Sequence, residues 1–551
     1  MDKSYFFERN LLALSPRNPE LCSRLSRAET RLGRYRFLES RGGEVIPAWV
    51  DPQGAAHPLH SIVDPRKEAK RLADSADEGF LVLLGLGGGY YAEAALEREG
   101  TGLVLVIEYD IDGLAELLCH RDYAAVFGDP RFRLLADSPE DEIKQHILDL
   151  YQPVLYGGIR VLPLRARTGL EAKLFARAGN AIGAAIDRVS ADYSVQAHFG
   201  TRWFSNIIRN LMPAEKFQDT LPPVRRAAVT AAGPSLSIQL EGLRKKRKEL
   251  FLIAVDTSLP CLLYNGIEPD AVISIDCQHI SYYHFMDGLP GGVPLFLDLA
   301  SPPLLASRTR RHWFFSGGHP LTRYISRFFR TLPELDTSGG NVTYAAISLA
   351  EQLGAREIEL YGADFSYPQG VSYARGTYIY SFFGIRQNRF STMEAQASAF
   401  LFRSPLEKKT RPDPDGSWYY ETRALKFYRE RLEEKSSRME AALIPVKGLG
   451  APMHVQVNKP GPRRLKIFSS GKLLMGAEEF LNKYRDALVN LREPETSTTG
   501  YQASLKGEDQ AVFVTLLPAA AALRRHNPQG NFRELIRDTK AYCINEIDRI
   551  L

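Results

Sequence analysis

Apolar positions along this chain change their period several times, and the changes divide it. The run Phe80-Leu81-Val82-Leu83-Leu84 is followed by Gly85-Leu86-Gly87-Gly88-Gly89, a helix-forming stretch at 91–98, and a second apolar run at 103–107 ending in Glu108. Short apolar runs separated by a glycine turn and a helix predict a βαβ unit. Residues 1–75 mix short helical and strand-like pieces, including 44–50, and a long helical pattern covers 166–222. The alternation resumes at residue 227. Strands are predicted at 227–231, 250–255, 271–275, 295–297 and 357–360, separated by helical or glycine-rich segments as parallel crossovers require. Past about 395 the chain turns polar, crosses a turn-rich stretch at 411–416 and enters a helical segment at 420–442. Toward the end, Phe480, Leu481, Tyr484, Leu488 and Leu491 keep helical spacing.

The expected fold is α/β. A Rossmann-like βαβ unit lies in 1–165, a helical connector in 166–222, a doubly wound α/β domain in 223–395, and a mostly helical region in 396–551. A chain of 551 residues exceeds what one hydrophobic core usually holds, which fits several domains. With 44% hydrophobic and 25% charged residues the composition is that of a soluble globular protein. The net charge of +5 is spread among 65 acidic residues, which argues against a nucleic-acid partner. The basic run Arg244-Lys245-Lys246-Arg247-Lys248 reads as a solvated helix face. Five cysteines without a paired framework point to a reducing compartment, and no apolar stretch has membrane-spanning length. A cytoplasmic protein without a membrane partner is expected.

The chemistry concentrates at predicted strand ends. Gly85, Gly87 and Gly89 form a turn able to present backbone N–H groups to an anion, with Glu108 placed where ribose-binding carboxylates sit. The same turn serves equally well for packing alone. Asp110-Ile111-Asp112 has the Asp-x-Asp form of some metal sites, and aspartates near strand ends are common. In the central region Gly233, Pro234 and Ser235 follow a small-residue strand. Gly233 permits a sharp turn, and Pro234 can open a helix because it has no N–H to leave unpaired. The next strands end in Asp256 with Ser258, and in Asp276. A second hydroxyl- and glycine-rich turn, Thr337-Ser338-Gly339-Gly340-Asn341, opens a helix at 342–353, and the strand after it leads into Asp364. An aromatic stretch holding Tyr367, Tyr373, Tyr378 and Tyr380 follows. Cys277, His279 and His284 have metal-ligand residue types without a fourth partner at regular spacing, and no metal is assigned.

Gly233-Pro234-Ser235-Leu236, Asn265-Gly266-Ile267-Glu268-Pro269-Asp270 leading to Ser274-Ile275-Asp276, Thr337-Ser338-Gly339, Leu353-Gly354-Ala355 and Tyr361-Gly362-Ala363-Asp364-Phe365 together resemble the motility accessory factor family of flagellin glycosyltransferases. The stretch 224–395 is also similar to bacterial sialyltransferases that use CMP-sugars, and more distantly to archaeal 6-hydroxymethylpterin diphosphokinases. The resemblance implies transfer of a nonulosonic acid, of pseudaminic or legionaminic type, from a CMP-sugar to Ser or Thr of flagellin. The CMP-sugar is then a substrate, and no further cofactor is required. It implies that the turns at Gly233–Ser235 and Thr337–Asn341 bracket the nucleotide and that Ser372-Tyr373-Ala374 brings a tyrosine to the phosphate; Asp256 and Ser258, closing the strand after the first turn, fall at the crevice where doubly wound sheets bind ligands. Asp276 and Asp364 are the expected bases. The sialyltransferases carry asparagine where Ala232 stands, and no histidine occurs between His319 and His454, so their catalytic histidine has no counterpart there. Two other readings stay open: a pterin diphosphokinase, and a non-catalytic flagellin-binding protein.

Overall fold

The computed structural model describes residues 3–29, 33–76, 79–412, 417–458, 467–495, 498–528 and 531–551. Part of the turn-rich stretch, 413–416, lies outside them. The chain divides into two compact units: 1–200 with 491–541, and 201–490 with 542–551. This partition differs from the four consecutive segments read from the sequence, because the C-terminal region is shared out between both units.

In the first unit, β1 (Tyr35–Glu39), β2 (Val45–Val50) and β3 (Ala56–Pro58) make a small antiparallel sheet. The main sheet is parallel: β4 (Gly79–Leu84), β5 (Thr101–Glu108), β6 (Phe132–Ala136) and β7 (Gly158–Pro163), in the order β6-β5-β4-β7. Every residue of β4 is buried, so its apolar run needs no alternation. The expected βαβ unit is β4, the helix Tyr90–Leu96 and β5.

The second unit holds a short antiparallel pair, β8 (Thr220–Leu221) with β19 (Phe468–Ser469), and a large sheet. The large sheet contains β9 (Arg226–Thr230), β10 (Phe251–Val255), β11 (Ala271–Ser274), β12 (Leu295–Asp298), β13 (His312–Phe315), β14 (Glu357–Tyr361) and β18 (Ala442–Pro445). All its pairings are parallel, in the order β13-β12-β11-β10-β9-β14-β18. The chain starts at β9, walks outward to β13, then crosses back under the sheet through the helix Val342–Gln352 to pair β14 on the other side of β9. The direction of winding therefore reverses between β9 and β14, the topological switch point where open α/β sheets bind ligands. That crossover helix buries Tyr344 through Ala350 in one stretch and joins Val229, Ile253, Ile273 and Phe296 in the core. Strands β15 (Tyr367–Pro368), β16 (Glu407–Thr410) and β17 (Trp418–Glu421) form a third, antiparallel sheet. The expected helix at 420–442 is shorter, Arg423–Ser436, and gives way to β18, which completes the main sheet.

Candidate functional site at the carboxyl edge of the central sheet

Strand order fixes the layout. Along the carboxyl edge from β12 to β9 lie Asp298, Asp276, Asp256 and the Gly233 turn, one per strand. At about 4.8 Å between strands, the row is about 14 Å long. Thr337 Oγ1 donates to the Gly317 carbonyl at 3.0 Å, just past β13, so the second turn sits at the far end of the same row. The two turns thus bracket the edge, with three aspartates between them.

The Gly233 turn is closed from within. Gly233 N–H donates to the Gly362 carbonyl at 2.9 Å, and a Cβ on Gly233 would lie 2.5 Å from that oxygen, a gap only glycine allows. Ser235 N–H, the first of the helix Ser235–Lys246, donates to Asp364 at 2.8 Å, and the Ser235 hydroxyl donates to the other Asp364 oxygen. Leu449 N–H then donates to Ser235 Oγ at 2.6 Å, and Ala451 N–H to the Asp364 carbonyl at 3.0 Å. The Asp364 carboxylate therefore occupies the helix N-terminus that the sequence reading reserves for a phosphate. Pro234 and Ser235 are buried behind it. Burial pushes the Asp364 carboxyl above its usual range, opposed by the Ser235 donors. Asp364 thus differs from the expected solvent-reaching base: it ties β14, the Gly233 turn and the segment 446–451 together.

Ser258 is likewise internal. Its hydroxyl reaches the carbonyls of Thr230 at 3.0 Å and Val255 at 2.9 Å, joining β9 to β10. Asp256 is buried, accepting Thr257 N–H at 2.7 Å and the Ser274 hydroxyl at 2.6 Å. Asp276 is half-buried and accepts Gln278 N–H at 2.9 Å. Burial, with the nearby Asp256 charge adding to it, raises its pKa, so it is a stronger base than an ordinary carboxylate. Tyr373 and Tyr378 come to this pair from the segment after β15. Burial raises both phenols, and the Asp256 charge acts on each in the same direction. His284 packs edge-on against Tyr378 with ring centres 4.4 Å apart, is 7% exposed, and lies within electrostatic reach of Asp276.

In the second turn Ser338 and Gly340 are exposed, and Gly340 has φ +72°. Asn341 caps the crossover helix by accepting Tyr344 N–H at 3.0 Å. Gly339 lies against the Tyr344 ring. Asp336 holds the turn from behind, accepting Ser338 N–H at 3.0 Å, the Tyr344 hydroxyl at 3.1 Å and Lys435 Nζ at 3.2 Å.

Two members of this edge escape the sequence reading. Asp298 ends β12 and accepts the N–H groups of Ala300, at 2.8 Å, and Gly317, while burial raises its pKa to about 6. The signal is present in the sequence, an aspartate closing an apolar run as at Asp276. His284 is visible there only as a metal-type residue, because its approach to Asp276 depends on how the short helix His279–Phe285 folds back.

Of the two readings of the N-terminal glycine turn, the structure fits the packing one. His60 Nε2 accepts Gly88 N–H at 2.9 Å, and a Cβ on Gly87 would lie 2.6 Å from that nitrogen. Glu108 is buried, accepts Leu86 N–H at 2.8 Å, and pairs with Arg167 at 2.7 Å. Gly85 lies against Arg167, and Gly89, with φ +78°, packs on Tyr123. The protein's own imidazole and guanidinium therefore fill the places expected for phosphate and ribose. Asp110 caps the helix Ile111–His120 and pairs with Arg34, and Asp112 accepts Glu29 N–H, so the Asp-x-Asp carboxylates serve local structure.

Residues 201–370 match the family profile "6-hydroxymethylpterin diphosphokinase MptE-like". Along its whole length the chain has the fold of the MAf glycosyltransferase from Magnetospirillum magneticum AMB-1, with a TM-score of 0.60 at 14% identity, covering 100% of this chain and 95% of that one. An uncharacterized protein of Treponema pallidum (strain Nichols) is 31% identical over 164 residues, 29% of this chain and 78% of that protein. A second from the same organism is 36% identical over 156 residues, 27% of this chain and 54% of that one. The chain belongs to the family of the first of these two Treponema pallidum proteins, and its fold is that of the MAf glycosyltransferase.

Among the described residues, no helix is long and apolar enough to cross a membrane.

Proposed function

We propose that the protein is a glycosyltransferase that moves a nonulosonic acid from a CMP-sugar to Ser or Thr hydroxyls of flagellin. The observation that carries this reading is the row of Asp256 and Asp276, faced by His284, Tyr373 and Tyr378, between two turns on the carboxyl edge of a switch-point sheet. Departure of CMP leaves an oxocarbenium-like sugar and puts charge on the phosphate, so fixed N–H and hydroxyl donors lower the barrier. The exposed Ser338 hydroxyl and the Tyr373 phenol supply such donors. Asp276 takes the proton of the attacking hydroxyl, a role its raised pKa favours. Asp364 and Ser235 act by holding the Gly233 turn. The full-length likeness to a glycosyltransferase supports the class, and the donor and acceptor rest on the motif resemblance.

The test is transfer to purified flagellin from CMP-pseudaminic or CMP-legionaminic acid, read by intact-protein mass spectrometry. Asp276→Asn is expected to abolish the added sugar mass while CMP still binds in calorimetry. Unchanged glycosylation by the variant removes Asp276 from the mechanism, and no transfer by the native protein with either donor overturns the reading. The match to diphosphokinases favours a second reading, in which Asp256 and Asp276 hold Mg²⁺ for pyrophosphoryl transfer from ATP. Mg²⁺-dependent ATP binding without CMP binding would select it.

A further inference from the structure

The first unit has its own switch point. In the order β6-β5-β4-β7 the winding reverses between β4 and β7, and a cavity of about 350 Å³ opens beside the carboxyl ends of those strands. Its size is in the range of small-molecule sites. Leu59, Leu72 and Leu164 give it apolar walls, Tyr91 an aromatic one, and His60 and Glu68 its polar groups.

The state of His60 follows from its hydrogen bond. Nε2 accepts Gly88 N–H, so in the neutral ring the proton sits on Nδ1. Burial lowers its pKa, which keeps the ring neutral. The residue is 5% exposed, and Nδ1 makes no hydrogen bond. A buried donor left without an acceptor is costly, and native structures rarely keep one without a use. Nδ1 faces Glu68, whose Oε2 lies 3.8 Å away, too far for a hydrogen bond. Glu68 Oε2 is steadied by Ser61 N–H at 2.9 Å, and its side chain is 37% exposed, so it can adjust to a guest. Tyr91 stands edge-on to His60, with ring centres 5.3 Å apart.

A neutral donor next to a carboxylate acceptor, flanked by an aromatic ring and leucines, reads a flat heterocycle with one carbonyl acceptor beside adjacent N–H donors. We propose that this cavity binds a guanine-type base, its carbonyl accepting from His60 Nδ1–H and its ring and amino N–H groups donating to Glu68. Bidentate pairing of a carboxylate with such an edge separates it from bases that lack the two donors. Arg165 at the rim is available to a phosphate on the attached sugar. The glycine turn is not, because His60 takes the Gly88 N–H. This site is independent of the central one, and it stands or falls apart from the glycosyltransferase reading.

Isothermal titration of the full-length protein with guanosine, adenosine and cytidine tests it. Guanosine is expected to bind with sub-millimolar Kd, unaffected by saturating CMP, and adenosine and cytidine about tenfold or more weaker. Glu68→Gln should lower guanosine affinity by about tenfold with an unchanged melting temperature. Leu72→Phe, which narrows the cavity without touching its polar groups, should also weaken it. Guanosine binding no tighter than adenosine or cytidine overturns the proposal. So does guanosine affinity within twofold of native in Glu68→Gln, or competition between guanosine and CMP.

Discussion

Asp298 offers a prediction whose size can be worked out. Its carboxyl is buried at the end of β12, accepts two backbone N–H groups, and has no ion-pair partner among the described residues. Burial raises its pKa from 3.8 to about 6. The folded state therefore holds this proton more tightly than the unfolded chain. The associated stability is complete below pH 3.8 and is lost as pH rises through 6. At about 1.4 kcal/mol per tenfold change, the full swing is about 3 kcal/mol. Between pH 5 and pH 7.5 about 1.4 kcal/mol of it disappears. The assay is urea unfolding of the native protein and Asp298→Asn at both pH values, followed by tryptophan fluorescence. Trp203, Trp313 and Trp418 lie in the same unit as Asp298, so most of the signal reports on it. Comparing the two proteins cancels every other titrating group. Native stability relative to the variant should rise by about 1.4 kcal/mol on going from pH 7.5 to 5. Parallel pH profiles for the two proteins would refute the argument that burial dominates this carboxyl.

Gly233→Ala should destabilise the second unit by about 1–3 kcal/mol, because the new methyl meets the Gly362 carbonyl and the Asp364 carboxylate; a melting curve shows it. Gly242→Ala in the helix Ser235–Lys246 that follows meets no atom within 4 Å and should stabilise by up to about 1 kcal/mol, so a loss there would fault the packing argument. Arg167→Met leaves Glu108 buried without its cation and should cost about 3–5 kcal/mol in urea unfolding of the first unit. The double change with Glu108→Gln should recover much of that, and no recovery would mean that Arg167 acts through packing alone.

Among the parallel strands, β6, β7 and β13 escaped prediction, whereas β4, β5, β9, β10, β11, β12 and β14 were legible because each is an apolar run closed by a glycine turn or an acidic residue, and their observed bounds fall close to the predicted ones. β18 was not, because the short apolar run Ala441-Ala442-Leu443-Ile444-Pro445-Val446 contains a proline and follows a helical pattern with no turn signal between, and its strand character comes from pairing with β14. The same holds for the segment 446–451. Nothing local announces that Leu449 and Ala451 will hydrogen-bond Ser235, Asp364 and Ser366. For the site, the sequence located both turns and the strand-end aspartates, yet it could not distinguish an aspartate facing the edge, such as Asp276, from one spent on the protein's own helix, such as Asp364. That difference lies in burial and partner geometry, which tertiary packing decides. The N-terminal glycine turn shows the same limit, since its occupant, His60, lies well outside the βαβ motif.

Ser235, Asp364 and Leu449 meet at one point although more than two hundred residues separate the first from the last. A nascent chain that has emerged only to the end of the profile-matched stretch at residue 370 has both turns but neither β18 nor the segment that covers Ser235. Synthesis must pass residue 451 before these contacts can form, so a chain that stops anywhere between 371 and 448 would leave Ser235 and Asp364 without the partners that Leu449 and Ala451 supply.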